Sequence, residues 1–154
     1  MSSGLKLLFL DWDGPISNFR QIFNRPTDLV DPAAVGLVNA MTDVGFQTVV
    51  SATLRVHHST PDSFVSFAAG NGLRVQLYPE WKTAPEMIPH SLSILNFLFY
   101  HRVNASEIVI LDDEICTEPS LEPYWYKCDT YDGVPWDVIH DLHERYIRKA
   151  ALCK

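Results

Sequence analysis

The chain has 154 residues, 47% hydrophobic and 20% charged, the profile of one ordinary folded domain and not of a disordered segment. Its net charge of -7 argues against the broad basic surface that non-specific nucleic-acid binding needs. No apolar run approaches the roughly 18 residues of a membrane span. Cys116, Cys128 and Cys153 are odd in number and lack C-x-x-C spacing, so free thiols in a reducing compartment are expected. No basic region, long apolar stretch and small-residue cleavage site open the sequence, and the expected location is cytoplasmic.

In chain order, short β-type runs alternate with helical patterns. Leu7–Asp11 reads as a first buried strand, apolar until it stops at acid and glycine. Asp31 suits an N-cap, Pro32 a first helical position and Gly45 a stop; Ala34, Leu37, Val38, Met41 and Val44 form the inward stripe between them. Phe46–Val50 is a second strand, ending in Ser51. Thr60-Pro61 opens a second helix carrying Phe64, Val65, Phe67 and Ala68, and Gly70-Asn71-Gly72 closes it. A third strand is expected over Leu73–Tyr78. A helix is then expected from about Pro89 to Tyr100, with Leu92, Ile94, Leu95, Leu98 and Phe99 mostly inward. Ile108–Leu111 is a fourth strand that ends in Asp112-Asp113, and Tyr124–Cys128 a fifth. Asp132-Gly133 turns into a final amphipathic helix with Ile139, Leu142, Tyr146 and Ile147 at helical spacing.

Such alternation predicts an α/β fold: three layers, Rossmann-like, around a mostly parallel central sheet. Ligands of open parallel sheets bind beyond the carboxyl ends of strands. Asp11, Asp13, Ser51 and Asp112 all follow apolar strands and are expected on one such rim.

The spacing D-x-D lets Asp11 and Asp13 face one cavity as the strand ends. Two carboxylates that close repel unless a cation or a proton compensates, and Mg2+ prefers oxygen ligands. Gly14 lets the backbone turn sharply beside them. Alone, D-x-D-G is as readily a pair of solvated strand-end acids. Asp112-Asp113, about 100 residues later after another apolar strand, adds weight to a cation site. Asp113 reads as the turn or cap residue of the two, so Asp112 ranks above it as a ligand. Ser51 is placed to hydrogen-bond a phosphate, with Thr53 and Arg55 as nearby alternatives. His57 and His58, being adjacent, read as surface residues, as do His140 and His143 on the last helix. Trp81, Tyr124, Trp125, Tyr126 and Trp136 read mostly as packing or oligomer-contact residues, although such rings also stack on bases.

LFLDWDGPIS, TVVSATLR and IVILDDE resemble the first, second and fourth motifs of the haloacid dehalogenase (HAD) superfamily, over roughly residues 5–130. The likeness is strongest to small HAD domains of RNA-repair-like proteins. The resemblance implies a magnesium-dependent phosphomonoesterase: Asp11 as nucleophile, Asp13 as acid and then base, and Ser51 on the phosphoryl group. Asp112 would hold Mg2+ with Asp11 and the Asp13 carbonyl. Pro15 stands where the family usually has Thr or Val. The third motif normally supplies Lys or Arg; here His90 has the register and Lys82 the permanent charge. Acids around His90 would favour its charged form.

The intervals between motifs leave room for a flap over Ser17–Val30 but not for a cap domain. A single capless domain over residues 1–154 is therefore expected. An open rim suits a bulky phosphorylated substrate, a nucleotide or a nucleic-acid end, or closure by a neighbouring subunit in a homo-oligomer. The competing readings are a HAD-fold binding or regulatory module with little catalysis, and a nucleotide hydrolase or phosphotransferase.

Overall fold

The computed structural model describes residues 4–18, 30–51, 57–85 and 88–152. Thr53, Arg55, Cys153 and most of the expected flap lie outside them. Among the described residues, five parallel strands make one sheet in the order β3-β2-β1-β4-β5. They are β1 (Lys6–Leu10), β2 (Phe46–Val50), β3 (Leu77–Lys82), β4 (Glu107–Asp112) and β5 (Trp125–Lys127). Helices cover both faces, so the expected three-layer, Rossmann-like α/β architecture is present, with every strand pairing parallel.

β1 is central because both its faces are apolar: Leu7, Leu8 and Phe9 are fully buried. Leu8 and Leu10 join one core cluster with α1 (Pro32–Asp43), α2 (Pro61–Gly70) and the C-terminal helical segment. Leu7 and Phe9 join the other cluster, with α3 (His90–Tyr100) and the 3-10 turn Pro119–Tyr124. The C-terminal segment comprises α4 (Trp136–Leu142), a wide π-type turn (His143–Arg148) and α5 (Lys149–Leu152). In the second cluster Phe9 meets Phe97 edge-on at 5.6 Å, a geometry worth about 0.5–1.5 kcal/mol beyond burial.

The helix starts follow their caps. The Asp31 carboxylate accepts from Ala33 N–H at 3.0 Å, and Thr60 Oγ1 accepts from Ser63 N–H at 3.2 Å. One strand and one helix expectation are corrected. β3 runs over Leu77–Lys82, not Leu73–Tyr78: Leu73 is a buried anchor just past α2, and Arg74 N–H donates to Asn39 Oδ1 at 2.7 Å and not to a strand. β3 is an edge strand, which tolerates Pro79 within it. In α3, Phe97 is the core aromatic and Phe99 is 75% exposed, because the helix turns its Ile94–Phe97 stripe to the sheet. Val65 of α2 likewise faces outward. Cys116 and Cys128 are free thiols. Among the described residues, no helix is long and apolar enough to cross a membrane.

Candidate functional site

Carbonyls at the carboxyl ends of β1, β2 and β4 accept from the residue that follows a neighbouring strand. Asp11 N–H donates to Leu111 O at 3.0 Å, Ser51 N–H to Leu10 O at 3.1 Å, Thr83 N–H to Val50 O at 3.1 Å and Cys128 N–H to Asp112 O at 2.8 Å. The ladder therefore sets Thr83, Ser51, Asp11, Asp112 and Cys128 in one row along the carboxyl edge of the sheet. This is where open parallel sheets bind ligands. All five are buried, with Asp11 3% and Asp112 0% exposed.

Past β1 the chain folds back at once. Ile16 and Ser17 N–H both donate to Trp12 O at 3.0 Å, and Gly14 N–H donates to Ser17 O at 2.8 Å. Trp12 pins this turn: its indole is buried against Phe64 and Phe67, with centroids at 6.3 and 5.0 Å. The backbone N–H of Trp12 donates to Asp11 Oδ1 at 2.9 Å. Asp13, one residue on, is exposed. Gly14 has φ +103°, and a Cβ there would lie 2.7 Å from the Asp113 carboxylate. Glycine is thus required twice, for its backbone angle and for the approach of Asp113. Asp113 Oδ2 also accepts from Thr130 Oγ1 at 2.7 Å.

The second half of the site comes from β4 and the start of α3. His90 Nδ1 lies 2.7 Å from Asp112 Oδ2, and His90 Nε2 lies 3.3 Å from Glu114 Oε2. Both ring nitrogens thus face carboxylate oxygens, and either can donate according to where the protons sit. Asp112 Oδ1 accepts from Glu114 N–H at 2.8 Å, so Asp112, and not Asp113, closes the local turn. Ligand atoms of Asp11, His90 and Asp112 all lie within 4.8 Å of one another.

Burial pushes the Asp11 carboxyl from its usual 3.8 up to about 10, with Asp112 and Asp113 adding repulsion. Asp112 is raised too, first by burial, while the hydrogen bond from His90 opposes the rise. The Cys128 thiol is pushed up by burial and by the same three aspartates. Buried carboxylates so arranged favour a cation or a proton between them. The carboxylate oxygens of Asp11 and Asp112 suit a hard divalent ion, while the imidazole of His90 in the same group also suits transition metals.

Of the residues expected at the site, Asp11, Ser51, His90 and Asp112 share the rim, whereas Asp13, two residues past Asp11, is exposed. Lys82 ends β3; its Nζ donates to the His58 carbonyl at 3.3 Å and lies 4.9 Å from the Trp81 ring centroid. His58 packs on Phe64 and Phe67, and its Nδ1 pairs with Ser63 Oγ at 2.7 Å, a structural role. Trp81 is core, whereas Trp136 is 76% exposed. Sequence reasoning does not single out Glu114 or Cys128. Glu114 follows Asp112 by two positions, which is the spacing of a turn that folds back on its own strand end. No family model, curated protein or solved structure matches this chain.

Proposed function

We propose that the chain is a magnesium-dependent phosphomonoesterase of the HAD type, acting through an aspartyl-phosphate at Asp11 on a nucleotide or nucleic-acid phosphate. The observation that carries this reading is the burial of Asp11 and Asp112 together beside His90, at the carboxyl edge of the sheet. An acid pushed up to about 10 is a poor nucleophile until positive charge faces it. Mg2+ held by Asp11, Asp112 and the Asp13 carbonyl would supply that charge and offset the phosphate's own. His90 in its charged form adds a second positive group, in the role sequence reasoning divides between it and Lys82.

An Asp11 carboxylate oxygen then attacks phosphorus, and the bond from phosphorus to the leaving oxygen breaks. Asp13 gives that oxygen a proton, which suits its exposure to solvent. Ser51, at the end of β2, holds a phosphoryl oxygen. Asp13, now a carboxylate, takes a proton from water as the water attacks phosphorus, and the bond to Asp11 breaks to release phosphate.

Turnover of a generic phosphomonoester should require Mg2+, stop with EDTA, and fall at least about 1000-fold in Asp11→Asn, as for loss of a covalent nucleophile. Asp11→Asn turning over at the wild-type rate would refute the assignment. A panel of nucleotides and 3′- or 5′-phosphorylated oligonucleotides then reads the substrate class. The bond already joining His90 to Asp112 favours a second reading, a binding module with little catalysis. Under it, phosphate and Mg2+ bind without turnover.

A further inference from the structure

Helix α3 begins behind Pro89, whose side chain offers no acceptor, so its first N–H groups need partners from elsewhere. Glu114 supplies one: its Oε1 accepts from His90 N–H at 3.1 Å. The other oxygen of the same carboxylate lies 3.3 Å from His90 Nε2. One side chain thus grips both the backbone and the ring of the residue that faces Asp112.

Glu114 is itself fixed on both sides of its backbone. Its N–H donates to Asp112 Oδ1 at 2.8 Å, and its carbonyl accepts from Trp125 Nε1 at 3.1 Å. The segment from Glu114 to Thr117 is also tied to the start of α3 at its far end, where Thr117 N–H donates to Ser91 Oγ at 3.1 Å. A ring held at one nitrogen can still swing about its side-chain torsions. With Asp112 at Nδ1 and Glu114 at Nε2, the imidazole keeps one setting.

We propose that Glu114 is a positioning residue for His90, acting on phosphoryl transfer only by fixing the imidazole against Asp112. The proposal rests on the phosphomonoesterase reading for its kinetic arm alone. Glu114 touches neither phosphate nor metal in this role.

The test compares the full wild-type chain with Glu114→Ala, Glu114→Asp and Glu114→Gln. Two quantities are read: the His90 Nδ1–H resonance by 15N-edited NMR, assigned with His90→Gln, and kcat and KM for p-nitrophenyl phosphate with Mg2+. In Glu114→Ala the resonance should broaden away, kcat should fall about tenfold and KM should stay within about twofold, the pattern of a misplaced group. Glu114→Asp keeps the charge but is one methylene short; the same losses are expected, and it carries the test should Glu114→Ala not fold. Glu114→Gln keeps an oxygen for the backbone contact but turns an NH2 donor toward Nε2, which carries a proton in the charged ring, so the same losses as in Glu114→Ala are expected. A resonance unchanged in Glu114→Ala and Glu114→Asp, or a change confined to KM, overturns the proposal. A wild type without turnover, whose resonance is nonetheless lost in Glu114→Ala, sinks the phosphatase reading and leaves the clamp standing.

Discussion

At the scale of single residues, the site is a problem of space as much as of charge. Gly14 is the clearest case, since its φ of +103° and the Asp113 carboxylate 2.7 Å from a Cβ exclude any side chain. Gly14→Ala should cost about 1–3 kcal/mol, measured by urea unfolding, from backbone strain and the displaced acid. Turnover should fall with it, because the turn that carries Asp13 would shift. An unchanged unfolding midpoint would show that the turn relaxes freely. Trp12 acts oppositely, filling space on the core side so that its two aspartate neighbours are held at the strand end. Asp11 and Asp112 are legible from sequence because each ends an apolar run. Glu114 is not, because its partner His90 is 24 positions away and only the fold joins them.

At the scale of elements, legibility follows the strength of the local signal. α1 is readable from Asp31, Pro32 and Gly45, since caps and breakers act through neighbours in sequence. β3 is not, because an edge strand has one partner and its composition constrains it weakly; Leu73 resembles a strand start but serves as an anchor. Phe99 departs from expectation for a related reason. A helix rich in apolar residues on all sides, such as HSLSILNFLFY, does not declare which stripe meets the sheet. The Asp31 cap is doubly engaged, accepting from Ala33 N–H and from Asn18 Nδ2 at 3.1 Å. Asp31→Ala should therefore lower stability by about 1–2 kcal/mol, the upper range for a lost N-cap. Chemical denaturation reads this directly, and a loss under about 0.5 kcal/mol would show that water replaces both bonds.

At the scale of the whole molecule, the buried acids couple folding to pH. The unfolded chain releases the Asp11 proton near 3.8, whereas the folded chain keeps it up to about 10. Between those values the folded state binds more protons, so this group's contribution to stability falls as pH rises. In EDTA, the melting temperature of the wild type should drop from pH 5 to pH 8 more steeply than that of Asp11→Asn. Mg2+ should raise it more at pH 8 than at pH 5, since the ion replaces a proton. Equal Mg2+ shifts at both pH values would refute the coupling. The strand order carries one more consequence. β1 is central, yet its partner β4 is made about 100 residues later. At about 5–20 residues per second, a growing chain carries Asp11 for roughly 5–20 s before Asp112 exists. Throughout that interval the first aspartate is an ordinary solvated acid, and its unusual proton affinity arrives only when the sheet closes around it.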